Sequence, residues 1–176
     1  MSGTVDASLM PYRLLHLKAH FPRLKIRAVC SAGALGFVTP DALRAITGYE
    51  VYVPGLNWSS EDHTPSHLSF SKCDMLLMFP ITSRVIAECA AGITSCPVTK
   101  TFAFTPKGSV VIDCTLHPSL DRQVYASAVQ RLSDFGCLVF EGAENGSSWN
   151  DLVSKIEKFL DMPRESPSHE KTRLFT

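Results

Sequence analysis

Asp74-Met75-Leu76-Leu77-Met78-Phe79-Pro80-Ile81-Thr82-Ser83-Arg84 is the stretch that decides the fold. An unbroken apolar run of this length, too short for a helix of ordinary size, reads as a strand buried on both faces of a parallel sheet. Its carboxyl end passes through a small, hydroxyl-bearing turn into a predicted helix, Val85 to Ala91, which Gly92 closes. Downstream the alternation repeats. Ser109 to Asp113 reads as a strand, Leu120 to Phe135 as a helix with Leu120, Val124, Ala128, Val129 and Leu132 on its apolar face, and Cys137 to Phe140 as a strand. A last helix runs from about Ser147 to Leu160.

Upstream the pattern is the same. Leu9 to His20 carries Leu9, Met10, Leu14 and Leu17 at helical spacing and stops before Pro22. Lys25 to Cys30 and Tyr49 to Val53 read as strands. Between them lie the small-residue turn Ser31 to Gly36 and a short helix opened by Thr39-Pro40-Asp41. Pro54 to Pro65 is a polar loop, and His67 to Lys72 a short helix or bend. Strands alternating with helices predict an α/β, Rossmann-like (flavodoxin-like) three-layer sandwich with a mainly parallel sheet. Residues 1–160 form the expected single domain, and 161–176 a mobile tail rich in Pro, Ser, Lys and Glu.

The chain has 176 residues, 45% of them hydrophobic, enough for one domain with a sizeable core. Seventeen basic residues balance seventeen acidic ones, which argues against a nucleic-acid partner and leaves little repulsion to oppose self-association. The longest apolar run is strand-sized, so no membrane helix is expected. The first residues lack the pattern of a signal peptide, so a cytoplasmic location is expected. Six scattered cysteines without a C-x-x-C pair read as reduced, mostly buried thiols rather than a metal site.

In sheets of this kind ligands bind beyond the carboxyl ends of the strands. Three such turns are small and hydroxyl-bearing: Gly3-Thr4, Ser31 to Gly36, and Pro80 to Arg84. Each alone reads more readily as an ordinary strand–helix connection. Together they could offer N–H and hydroxyl donors to the phosphate of a nucleotide or flavin.

These stretches resemble the homo-oligomeric flavin-containing cysteine decarboxylases, which include phosphopantothenoylcysteine decarboxylase and the peptidyl-cysteine decarboxylases of lantibiotic and linaridin biosynthesis. Val29-Cys30-Ser31-Ala32-Gly33-Ala34-Leu35-Gly36-Phe37-Val38 is similar to the family's "v-l-T-x-S-A-x-x-F-V" turn. Pro80-Ile81-Thr82-Ser83-Arg84-Val85 falls on its "P-A-S/T-A-N-T" motif, and Ala90-Ala91-Gly92-Ile93 on the trailing "A-x-G-I". His67-Leu68 stands where the family carries its catalytic histidine. The resemblance covers roughly residues 3–160.

The resemblance implies FMN, in preference to FAD, held by Gly3, Thr4, Ser31, Gly33, Phe37, Pro80, Thr82 and Ser83. His67 becomes the catalytic base for a substrate thiol, a task suited to an imidazole near neutral pH. The reaction implied is oxidative decarboxylation of the C-terminal cysteine of a ribosomally made peptide to an aminoenethiol, by a homo-trimer or a dodecamer of trimers. Departures are also plain. Arg84 and Glu88 replace the family's Asn and Lys, and Gly33 replaces a serine. The substrate-recognition motif expected near Asp113 to Pro118 is absent, and the family's first strand has no counterpart ahead of Gly3-Thr4. A shortened chain, or another segment at that sheet position, is the expectation. Arg84 could hold a phosphate or, preferably, the substrate carboxylate; His117 is a candidate substrate contact or a plain turn residue. Thr82 and Ser83 could equally be helix caps. Cys114 reads as a buried thiol, and Trp58 as a cover for a flavin or partner subunit, or as an anchor of its own loop. Two alternatives stand beside this reading: a phosphopantothenoylcysteine decarboxylase, and a non-catalytic flavin-binding partner subunit.

Overall fold

The computed structural model describes residues 1–114, 122–141 and 149–161. A 3-10 segment, Val5–Leu9, leads into α1 (Met10–His20). Then come β1 (Ala28–Val29), a second 3-10 segment (Ala32–Gly36), α2 (Pro40–Thr47), β2 (Val51–Tyr52) and α3 (Ser66–Ser71). The second half holds β3 (Leu76–Met78), α4 (Ser83–Ala90), α5 (Pro97–Phe104), β4 (Val110–Cys114), α6 (Arg122–Asp134), β5 (Leu138–Glu141) and α7 (Trp149–Asp161). All paired strands are parallel: β1 with β2, and β3 with β4 with β5. This is the Rossmann-like α/β architecture read from the sequence, with its strands in two groups.

Local chemistry explains most boundaries. Thr39 Oγ1 accepts the Ala42 N–H at 3.2 Å and Pro40 opens α2. Gly48, Gly92 and Gly136 follow helices with positive φ, where a Cβ would be strained. Side chains of β3 alternate. Leu76 and Met78 join the core formed with α4, α5 and α6, while Met75, Leu77 and Phe79 turn toward α1 and α7. The N-terminal end of α7 is docked by Trp149, whose Nε1–H donates to His16 Nδ1 at 3.0 Å. The Arg13 guanidinium lies over the Phe79 and Trp149 rings.

Several expectations need correction. The stretch around β3 is not buried on both faces: Leu76 and Leu77 are half-buried, whereas every residue of β4 is buried. The flank of β3 away from β4 carries no paired strand among the described residues. For the same reason β1 is two residues long rather than six. Leu9 and Val124 are exposed and lie off the apolar faces assigned to their helices. Helix α5 was not expected. It is opened by Pro97, and Thr99 Oγ1 accepts the Cys96 N–H at 3.0 Å. Cys30, Cys89, Cys114 and Cys137 are buried, Cys73 and Cys96 half-buried, and all six are free thiols. No helix among the described residues is long and apolar enough to cross a membrane. His117, Leu120 and the expected tail from 162 onward lie outside the described residues.

Leu132 is fully buried in the core beside β4. Leu132→Ala should lower unfolding stability by about 2–5 kcal/mol, whereas Val124→Ala, on the exposed side of the same helix, should stay within about 0.5 kcal/mol. Urea unfolding of both variants checks the pair.

Candidate functional site

The site is built on a contact between two glycine backbones. A Cβ placed on Gly3 would lie 2.9 Å from both Cα and C of Gly33, and one on Gly33 would lie 3.2 Å from Gly3 Cα. The opening turn and the turn after β1 therefore meet with no room for a side chain between them.

Ser2 ties in the third turn. Its N–H donates to Pro80 O at 2.8 Å, its hydroxyl donates to the same oxygen at 3.4 Å, and its Oγ accepts the Thr82 N–H at 2.6 Å. On the other flank Met1 N donates to Val29 O at 2.6 Å, and Ser31 N–H donates to Met1 O at 3.1 Å. These bonds bring Gly3, Thr4, Ser31, Gly33, Pro80 and Thr82 together. Ser2, only 1% exposed, is the residue that sequence reasoning missed. Its signal was available: it is a hydroxyl directly ahead of a glycine turn.

The Thr4 hydroxyl is buried without a hydrogen-bond partner. A buried, unsatisfied hydroxyl costs free energy unless something fills its shell. Thr82 Oγ1 accepts the Val85 N–H at 3.4 Å and so caps α4, directing the positive end of that helix toward the same turns. Small residues, an unpartnered hydroxyl and a helix N-terminus make a cradle suited to an anion. Ser83 begins α4 at the rim, half-buried. Phe37, 46% exposed, follows the 3-10 segment that carries Gly33.

The remaining candidates have their own partners. His67 sits half-buried on α3, with its ring centroid 4.8 Å from that of Phe104 on α5. Arg27 holds this helix in place. Its guanidinium lies 3.7 Å from the Phe70 ring centroid, donates to Ser69 O and Oγ at 3.1 Å, and pairs with Glu61 at 3.2 Å. Trp58 is 63% exposed and joins Pro65 through a backbone bridge, so its ring does not anchor the loop by burial. Arg84 is exposed; its Nε donates to Glu88 Oε1 at 2.7 Å, and Ser95 Oγ donates to Glu88 Oε2 at 2.6 Å. The Ser95 hydrogen bond, helped by Arg84 and opposed by burial, holds the Glu88 carboxyl below its ordinary value. Cys114 is a buried core thiol. No group of three or more His, Cys, Asp or Glu side chains among the described residues is placed to hold a metal ion.

Comparison with known proteins places the chain in a family. Residues 1–161 match the family model described as Flavoprotein, and the chain belongs to that family. It is 28% identical over 128 residues to the coenzyme A biosynthesis bifunctional protein CoaBC of Escherichia coli K12. That alignment takes in 69% of this chain and 30% of the relative, so the chain spans about a third of the length of the curated protein it matches. Its fold is similar to that of the cypemycin decarboxylase CypD, with a TM-score of 0.72, 20% identity, and 90% and 89% of the two chains covered. It is also similar to the peptidyl-cysteine decarboxylase EpiD, with a TM-score of 0.67, 12% identity, and 90% and 93% covered. The cradle fits the phosphate end of a flavin, because the buried Thr4 hydroxyl is unpartnered and the Gly3–Gly33 contact excludes side chains.

Two outcomes follow from this geometry. Gly3→Ala should lower the melting temperature and weaken flavin binding, because the new methyl meets backbone; Gly36→Ala, with nothing within 4 Å, should do neither. Thermal melts and flavin-fluorescence titrations check both. Burial lowers the pKa of the Met1 amine from its ordinary 8.0, with smaller opposing effects from Cys30 and Cys96. The unfolded chain then binds the extra proton in the window below pH 8, so stability should rise with pH through that window and level off above it. Chemical acetylation of the amine should abolish that rise in urea midpoints.

Proposed function

We propose that this flavoprotein carries out oxidative decarboxylation of a cysteine at the C-terminus of a ribosomally made peptide, giving an aminoenethiol. FMN is the cofactor of this reading, held through its phosphate by Gly3, Thr4, Ser31, Gly33, Pro80, Thr82 and Ser83, with Phe37 beside the ring. The observation that carries the proposal is the unpartnered Thr4 hydroxyl in a cradle of touching glycines. The family match and the likeness to a peptidyl-cysteine decarboxylase support it.

When bound, the flavin supplies a two-electron acceptor. The chain's own residues have three tasks. His67 accepts the substrate thiol proton through an imidazole nitrogen. Arg84 orients the substrate carboxylate with the guanidinium face that Glu88 leaves free. Its 79% side-chain exposure keeps that pair water-screened, which suits a carboxylate that must leave as CO2. Exclusion of water falls to a cover over the cradle, for which Trp58 is the candidate.

His67 packs on Phe104, and the assembly proposed is a homo-oligomer with the cradle near subunit interfaces. A trimer or a dodecamer of trimers in the cytoplasm is the form proposed. The similarity to CoaBC supports a second reading, in which the substrate is phosphopantothenoylcysteine.

Incubating the yellow protein with a Cys-ending peptide should release CO2 and give a product lighter by CO2 and two hydrogens; phosphopantothenoylcysteine in a parallel assay decides between the two substrates. His67→Asn should keep the visible flavin spectrum and lose about 10²–10⁴-fold in turnover. Unaltered turnover of both substrates in that variant would remove His67 from the mechanism. A preparation that stays colourless after incubation with FMN or FAD would overturn the proposal as a whole.

A further inference from the structure

His67 stands on the shortest α-helix among the described residues. α3 has six residues, Pro65 gives it no side-chain cap, and the bond that closes it, from Lys72 N–H to Ser69 O, is 3.4 Å long. A helix this short has no stability of its own in water. Its placement, and with it that of the imidazole, is set by whatever grips it from outside.

Arg27, directly ahead of β1, supplies the grip. Its Nη1 donates to Ser69 O and to Ser69 Oγ, and its Nη2 to Ser69 Oγ, each at 3.1 Å. Nη2 also pairs with Glu61 Oε2 at 3.2 Å, and the guanidinium lies 3.7 Å from the Phe70 ring centroid. Glu61 is fixed in turn, because its Oε1 accepts the Glu50 N–H at 2.9 Å. Nε is buried without a partner, so the charge depends on Ser69, Glu61 and the ring to offset its desolvation. One cation thus joins the start of β1, α3 and the loop that carries Trp58.

The grip falls on the back of the helix. Ser69 is two residues beyond His67, which places it about 200° further round the axis. On the other side the imidazole meets Phe104. Between the two, Phe70 packs on Tyr52 of β2, with ring centroids 5.4 Å apart. α3 is therefore clamped across its axis, and its rotation is fixed.

We propose that Arg27 is a positioning residue for the reaction: by holding Ser69, Phe70 and Glu61 together it sets the rotation of α3 and so the place where His67 meets the substrate thiol. The inference rests on the reading of His67 as the base. Misplacing a reacting group by about 1 Å costs on the order of 10²-fold in rate. Lysine cannot substitute, because one ammonium cannot serve Ser69 O, Ser69 Oγ and Glu61 together or lay a plane on Phe70.

The test compares Arg27→Lys, His67→Asn and the double variant as flavin-loaded proteins, with a Cys-ending peptide and with phosphopantothenoylcysteine. Arg27→Lys should keep flavin affinity within about two-fold and KM within about three-fold, and lose about 10–100-fold in kcat. In the His67→Asn background the same change should cost less than about two-fold, since the effect passes through the imidazole. Carbethoxylation of His67 by diethyl pyrocarbonate, read by mass spectrometry, should speed at least about three-fold in Arg27→Lys, with exposed His20 unaltered. An equal loss in both backgrounds would overturn the proposal, as would wild-type kcat and carbethoxylation in Arg27→Lys. Unaltered turnover in His67→Asn would overturn the catalytic reading alone, and the carbethoxylation ratio then decides whether Arg27 holds the imidazole. Should Arg27→Lys fail to fold, Ser69→Ala carries the same measurements: a loss of about 3–10-fold in kcat with faster carbethoxylation sustains the proposal, and wild-type values of both overturn it.

Discussion

Everything at the ligand end of this molecule depends on the approach of Gly3 to Gly33. Backbone meeting backbone fixes the distance between the opening turn and the turn after β1 more rigidly than side-chain packing could, because neither partner has a rotamer to change. Ser2 extends that constraint to the third turn with its N–H and hydroxyl, so α4 is aimed by the same few bonds that close the cradle. The cost is a buried threonine hydroxyl with nothing to bond. Such an unsatisfied group marks a place where a bound anion gains more than water would.

The rest of the chain serves to hold these tips in register. One core, around β3 and β4, is covered by α4, α5 and α6; another joins α1, α2, β1 and β2; a third, with α7, packs on the far side of β3. Residues 1 and 2 stitch β1 to the end of β3, Val29 packs against the first core, and Phe79 packs against the second. Arg13, with Phe79 and Trp149, reinforces that seam from the α1 side.

Much of this was legible in the sequence, for identifiable reasons. The alternation of strands and helices followed from apolar periodicity. The helix ends followed from Thr39, Gly48, Gly92 and Gly136, whose chemistry acts locally. The three turns could be singled out because small and hydroxyl residues cluster there. Helix α5 was hidden, since Val98, Thr99, Thr101 and Phe102 favour strands by propensity. Its threonine hydroxyls donate to carbonyls four residues back, Thr101 to Pro97 O and Thr105 to Thr101 O, both at 2.8 Å, which satisfies them in a buried setting. Strand lengths were misjudged because pairing depends on a neighbour that no local pattern reveals. The tether of Arg84 to Glu88 is an i,i+4 pair and could have been read; the Ser95 bond that completes it crosses a loop and could not.

The burial of the cysteines has a chemical corollary. Burial pushes the thiols of Cys30, Cys73, Cys89 and Cys137 upward in pKa, so they stay protonated and unreactive at neutral pH. A protonated thiol attacks disulfides slowly, so these four side chains are protected from mixed-disulfide adducts with thiols in solution.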